Sequence, residues 1–231
     1  ENIAVQTGPD GAVAVDAGAA ANSDEVLSAI EKITHGPIRY IIDTSAEPQA
    51  VGGNGALAQA GRSIYFMGSE YTGPPGLGPE GRWATVLATT EVLLRMSAPT
   101  GKIAPFPQAD WPTEAANLPN PYVYFNNEAI ELHREAAHDG TDTVVFFRGS
   151  DVILAGDVIN ANRFPTIDLE NGGSIQGEIA ALNRILDLSD TSLPFAWRNG
   201  RTYIIPSYGH VYLLPDVGRY RDMVVQITDI I

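Results

Sequence analysis

Residues 41–55 read IIDTSAEPQAVGGNG. The two isoleucines close a short apolar run, Ile38 to Ile42, whose length and composition predict a buried strand. Gly36-Pro37 stops whatever precedes it. At the carboxyl end of that strand the chain turns abruptly small and polar, through Asp43, Thr44, Ser45, Glu47 and Gln49, and then reaches Gly52-Gly53-Asn54. The turn offers hydroxyl, carboxylate and amide groups but neither imidazole nor thiol. What such a turn can hold is the question that decides this chain.

Outward from it, the segments on both sides are regular. Ile3 to Gln6 and Ala12 to Asp16 flank Gly8-Pro9-Asp10-Gly11 and predict a hairpin with a Pro-Asp-Gly turn. Asn22 to Thr34 predicts a helix, with Asn22 as N-cap, Glu25 three residues later, and Val26, Leu27, Ile30 and Ile33 on one face. Past the turn, Leu57 to Ala60 predicts a brief helix closed by Gly61, Ser63 to Met67 a strand, and Thr85 to Met96 a helix. Two stretches rich in Gly and Pro, 68–82 and 99–121, read as long loops of the kind that carry function or cover a surface.

The second half alternates again. Tyr122 to Phe125, Ala129 to His133, Thr143 to Phe147 and Asp151 to Ala155 predict consecutive strands, turning at Asn126-Asn127 and Arg148-Gly149-Ser150. Ser174 to Leu188 predicts an amphipathic helix through Ile175, Ile179, Leu182, Ile185 and Leu186. Thr202 to Ile205 predicts a strand, and Pro215 to Ile230 a closing helix with Pro in its first turn. Two similar halves of strands and helices predict an α/β (α+β) domain spanning 1–231, with two mixed sheets packed face to face and helices outside.

The whole composition narrows the function. The 231 residues carry 14 Lys and Arg against 28 Asp and Glu, a net charge of −14. A phosphate backbone needs a basic surface, so nucleic acid is excluded as a partner, and an anionic membrane surface is disfavoured for the same reason. No apolar run reaches the length of a membrane span, and the first residues do not read as a signal peptide. With no cysteine, disulfides, thiolate metal sites and a Cys nucleophile are all absent. That suits an extracellular or periplasmic setting, with a cytoplasmic one left open.

Fragments in a fixed order carry a resemblance. They are Gly8-Pro9-Asp10-Gly11, Val15-Asp16-Ala17-Gly18, Ile41-Ile42-Asp43-Thr44, Gly52-Gly53-Asn54, Ala136-Ala137-His138, Gly156-Asp157, Phe164 through Glu170 with Gly172-Gly173, and Ile204-Ile205-Pro206. In that order and spacing the chain resembles the metallo-β-lactamase-fold hydrolases over nearly its whole length. The resemblance implies an αββα sandwich, and it implies a site in which His and Asp side chains hold two zinc ions around a hydroxide nucleophile. In the family those ligands come from His-x-His-x-Asp-His before Gly-Gly-Asn, a later His, an Asp after a strand-end Gly, and the His of Pro-Gly-His-Gly.

Laid onto this chain, the ligand positions fall on Ser45, Glu47, Gln49, Ala50, His138, Asp157 and Tyr208. Only His138 and Asp157 match. Three readings follow. Glu47, His138 and Asp157 could hold one weakly bound Zn or Mn. Ser45, His138 and Asp157 have the composition of a metal-free nucleophilic set, although Ser45 lies in Thr-Ser-Ala-Glu rather than in a nucleophile elbow. Or the polar residues fill the space that metals vacated, with no cofactor at all. His210, two residues past Tyr208, would point the same way if that segment is extended. His35 suits a helix C-terminus, His133 a strand end at the surface, and Asp168 and Glu170 the fixing of a loop.

The resemblance without its ligands implies a catalytically degenerate member, a pseudoenzyme serving as a binding or structural subunit that meets a protein partner or its own copies. The competing expectation is a hydrolase with an altered site.

Overall fold

The computed structural model describes residues 1–64, 83–98, 104–117, 121–161, 163–189 and 201–230. The chain divides into two compact units, residues 3–118 and residues 119–231, the second also taking in Asn2. Each is built on one five-stranded mixed sheet of described residues.

In the first unit, β1 (Ala4–Gly8) and β2 (Gly11–Val15) form the expected hairpin around Pro9-Asp10, paired antiparallel from Ala4↔Val15 to Gly8↔Gly11. Gly11 takes a φ of 122°, which a side chain would resist. Then follow α1 (Ser23–Ile33), β3 (Ile38–Ile42), α2 (Pro48–Val51), α3 (Asn54–Ala60), β4 (Thr85–Thr89), α4 (Thr90–Ser97) and β5 (Glu114–Ala116). The sheet order is β1-β2-β3-β4-β5, so neighbours in the sheet are neighbours in the chain. From β2 onward all pairings are parallel. That puts the carboxyl ends of β2 and β3 side by side, which is what positions the turn at 43–55. Ala14, Ile30, Ile41, Leu57 and Val86 form one buried cluster, and Ala46, Ala50, Val51, Ala88, Val92 and Met96 another.

The second unit runs β6 (Tyr122–Phe125), β7 (Glu128–Arg134), β8 (Thr143–Phe147), β9 (Val152–Asn160), α5 (Ile175–Ser189), β10 (Tyr203–Tyr208) and α6 (Leu214–Ile230). Its order is β10-β9-β8-β7-β6, antiparallel except for the parallel pair of β10 and β9. Asn126 and Asn127 both have positive φ, 48° and 65°, the geometry of a tight hairpin turn. Val144, Ile153, Val158, Leu182, Ile185, Ile204, Val217 and Val224 share one core, in which each such side chain contributes about 1.5–3 kcal/mol. Asn2 is stitched to β10, its N–H donating to Ser207 O at 2.7 Å and its amide to Pro206 O and Gly209 O.

Several expectations need correction. Thr85 to Met96 is not one helix: its first five residues are β4, buried throughout and paired on both sides, and only Thr90–Ser97 is helical. A continuous apolar run does not reveal its period, and Thr and Val at its ends favour the strand. Ser63 and Ile64 are not in a strand, while 65–67 and the loop 68–82 lie outside the described residues, as do 99–103 and 118–120 of the second loop. Asn22 occupies the N-cap of α1 without a side-chain bond; Ser23 instead donates to Ala20 O. β9 and β10 run further than expected, so Asp157 and Tyr208 lie within strands.

Candidate functional site

The first unit builds its polar turn from the ends of β2 and β3. Asp16 sits in a left-handed conformation at φ 63°, and its N–H donates to Ile42 O. Its carboxylate accepts the Thr44 N–H at 2.8 Å and the Thr44 hydroxyl at 2.8 and 3.0 Å. Asp43, fully buried, accepts one Asn54 Nδ2 hydrogen at 3.0 Å; the other goes to Asp110 O, also at 3.0 Å. Asp110 in turn accepts the Gly55 N–H. Two oxygens of this knot, Asp43 Oδ1 and Asn54 Oδ1, have no hydrogen-bond partner among the described residues. Burial pushes the Asp43 carboxyl well above the usual carboxylate range, and the charges of Asp16 and Asp110 push it further, against the Asn54 bond.

The glycine pair has a steric reason. A Cβ on Gly53 would come within 2.4 Å of Ala17 O, and one on Gly52 within 2.7 Å of Ala20 N. Gly53 N–H donates to Gly18 O, and Ala17 N–H to Ala50 O. Ser45 is fully buried, and its Oγ accepts the Glu47 N–H at 3.3 Å. Glu47 is half-buried, Gln49 exposed, and Ala50 fully buried.

The second unit builds another polar loop, between β7 and β8. His138 donates from Nδ1 to Thr166 O at 2.5 Å, which leaves Nε2 as the ring nitrogen outside that bond. Burial works against protonating this half-buried ring. The bond to Thr166 and the charges of Asp142, Asp157 and Asp139 outweigh that, and His138 holds its proton above the ordinary histidine range. Asp142, 1% exposed, accepts the N–H groups of Ala137 and Asp139 on Oδ2. Asp139 accepts both donors of Thr141. Asp168 fixes the neighbouring loop as expected, accepting from Asn171 N and Nδ2, while its own N–H reaches His138 O; Glu170 is exposed.

Asp157, half-buried, follows Gly156 at φ 55° in β9. Tyr208, half-buried, pairs with Asn160 at the end of β10, and the preceding Ser207 is buried with its Oγ unpartnered among the described residues. His210 does not continue Tyr208's direction. Gly209 turns the chain at φ 97°, and the exposed His210 ring lies 5.0 Å from Tyr212. His133 is no surface residue either: it is 6% exposed, bonded through Nε2 to Glu131, and burial lowers its pKa. His35 is exposed.

No protein-family model matches the sequence, and no curated protein matches it. Among solved structures, a metallo-β-lactamase from Pontibacter korlensis superposes with a TM-score of 0.67 at 13% identity, over 95% of this chain and 85% of that one. The chain has the metallo-β-lactamase fold.

On that fold the resemblance places metal ligands in the turn after β3, and those residues do not fit a pair of zinc ions. Ala50 has no donor atom and packs into the apolar cluster with Val51, Ala88, Val92 and Met96. Gln49 faces solvent and Ser45 offers a neutral hydroxyl already bonded to backbone. Among the described residues no three His, Asp or Glu side chains stand together so as to hold a metal. The frame, by contrast, has local structural work throughout: Asp16 ties Thr44, Gly52 and Gly53 admit the backbone of 17–20, and Asn54 ties Asp43 to Asp110.

Sequence reasoning missed Asp142, Glu178, Asp110 and the helix α2. Glu178 carried a signal. It falls between Ile175 and Leu182 at helical spacing, on the stripe that the core covers.

Proposed function

We propose that this is a metallo-β-lactamase-fold protein that has given up two-zinc hydrolysis and serves as a binding or structural subunit. The observation that supports this best is Ala50. Where the family carries an imidazole on the metal-binding turn, this chain puts a fully buried methyl into the hydrophobic core. The frame around it persists because its residues hold the turn in shape, which requires no chemistry. A cysteine-free, strongly acidic chain suits an extracellular or periplasmic setting, where it would meet a protein partner or further copies of itself.

The altered-site reading rests on His138, whose Nδ1 bond to Thr166 leaves Nε2 available in the manner of a metal-ligating histidine. On it, Glu47, His138 and Asp157 take one Zn or Mn, or Ser45, His138 and Asp157 form a metal-free nucleophilic set.

Elemental mass spectrometry of the full chain after excess zinc, then manganese, each followed by desalting, tests the single-metal reading, and an ester assay with and without chelator tests the Ser set. The subunit reading expects no retained metal. About one metal per chain, abolished by His138→Ala, would replace it with the single-metal hydrolase. Ester hydrolysis insensitive to chelator and lost in Ser45→Ala would replace it with the Ser set. Sizing chromatography then separates self-assembly from a monomeric binder.

A further inference from the structure

The two edges of the second unit's sheet are treated differently. At β10 the edge is covered: Asn2 N–H donates to Ser207 O at 2.7 Å, the Asn2 amide reaches Pro206 O, and Tyr212 bridges Ile204. At β6, the other edge, no described residue covers the strand. Its residues, Tyr122–Phe125, carry no charge, and no bulge breaks their register with β7. Charges and bulges are the usual guards of an open edge.

One contact fixes which backbone groups point out. Leu132 N–H donates to Pro121 O at 2.9 Å, and the register pairs Val123 with Ile130 and Phe125 with Glu128. Bonding alternates along an antiparallel pair, so 121, 123 and 125 turn their backbone groups to β7 while Tyr122 and Tyr124 turn theirs outward. Their side chains share one face. Tyr122 lies across from Glu131, Glu131 from Phe146 and Phe146 from Ile153, and this is the face on which Phe146 and Ile153 pack with Leu182 and Val217. Over β6 no described residue shields that face: the two tyrosines are 70% and 68% exposed.

We propose that two copies of the chain pair through β6, antiparallel about a two-fold axis at Val123, and so join their second-unit sheets into one. The strand is self-complementary in that register. Tyr122 faces the partner's Tyr124 as a bonded pair, the contact recurs across the axis, and every outward N–H and C=O finds a partner. Each contact also sets two aromatic side chains opposite one another on the open face. Moving the axis to Tyr124 would set Tyr122 against Asn126, whose φ of 48° takes it out of the extended strand.

Charge favours a second copy at this place over others. The net charge of −14 opposes self-association. Yet no charged side chain occurs from Pro121 to Asn127, and Glu131, across from Tyr122, is matched by Arg148 at 3.1 Å. This names the surface for the self-association that the subunit reading allows, and it holds whether or not a metal binds at His138.

The register makes a geometric demand. Val123 faces the partner's Val123 in a non-bonded pair, with Cα atoms about 4.5 Å apart, within reach of a disulfide. Position 124 lies diagonal to its own copy at about 7–8 Å, beyond that reach.

The test uses the full chain, which has no cysteine of its own. Sedimentation velocity should show a reversible dimer that grows with concentration. It should tighten at least about threefold when salt rises from about 50 to about 500 mM, as repulsion is screened. Tyr122→Lys combined with Tyr124→Lys, both at exposed positions, should weaken it at least about tenfold. With oxidised glutathione, Val123→Cys should cross-link at least about tenfold faster than Tyr124→Cys, although position 124 is the more exposed. A chain that stays monomeric up to about 1 mM overturns the proposal and leaves a foreign strand as the occupant of this edge. A dimer indifferent to the lysines, or weakened by salt, forms elsewhere: it overturns this surface and leaves the subunit reading standing. Faster cross-linking at position 124 overturns the register.

Discussion

Thr44 gives both of its donors, the backbone N–H and the hydroxyl, to the carboxylate of Asp16. Both residues are buried, and the contact joins the ends of β2 and β3. Thr44→Val keeps the shape and removes the hydroxyl. It should destabilise the protein by about 1–3 kcal/mol, since a buried charged acceptor loses a partner. Urea unfolding measures this as a lower midpoint at constant slope.

Asp43→Asn should act in the opposite direction. With Asn at 43, its Nδ2 can donate to Asn54 Oδ1, now unpartnered, while its Oδ1 keeps the bond from Asn54. The gain at pH 7 should be about 1 kcal/mol. The sign follows from the raised Asp43 carboxyl. The folded chain holds a proton that the unfolded chain releases near pH 4, so this stability is complete below about pH 4 and is lost as pH rises through the folded value. In Asp43→Asn that part of the decline should vanish, as read by unfolding curves at successive pH values.

Two glycine substitutions separate packing from chain entropy. Gly177→Ala drives a methyl into Ala136 O and should cost about 3 kcal/mol or more. Gly218→Ala, inside α6 with nothing within 4 Å of the new atom, should stabilise by about 0.5–1 kcal/mol. Thermal denaturation of the pair decides both.

Zinc should leave the melting temperature unchanged. A ligand at a hundred times its Kd adds about 2.7 kcal/mol, which at this chain length is roughly 5–10 °C. A shift of that size, absent in His138→Ala, would place a metal at His138.

The ordered fragments of the metallo-β-lactamase fold were legible because their glycines, prolines and aspartates answer to local geometry. Pro9-Asp10-Gly11 turns a hairpin, and Gly52-Gly53 lets two backbones meet. Every described strand of the second unit was legible too, helped by the turns that join β6 to β7 at Asn126-Asn127 and β8 to β9 at 148–150. Thr85–Thr89 has no polar side to show its period and runs straight into α4 with no turn residue to mark the boundary. β5, three residues long beside β4, shows no pattern against the prolines around it. The direction of Ala50 into the core depended on α2, a single turn that begins at Pro48 and that no periodicity over so short a span reveals. Asp142 was hidden for another reason: it looks like a surface loop residue until its own loop is seen to fold around it, whereas Glu178 stood on the core-facing stripe of α5.

In both sheets the order of strands follows the order of the chain, and this bears on how the protein is made. Each new strand finds its partner in the one just synthesised, so the first sheet can assemble on the nascent chain before the second has left the ribosome. The stitch from Asn2 to Ser207 is the exception. Closing a loop of that length costs on the order of 5 kcal/mol in chain entropy, and it must wait for β10. Asn2 therefore reaches its place only after β10 has emerged, which makes it the natural position for a probe that reports when that strand is seated.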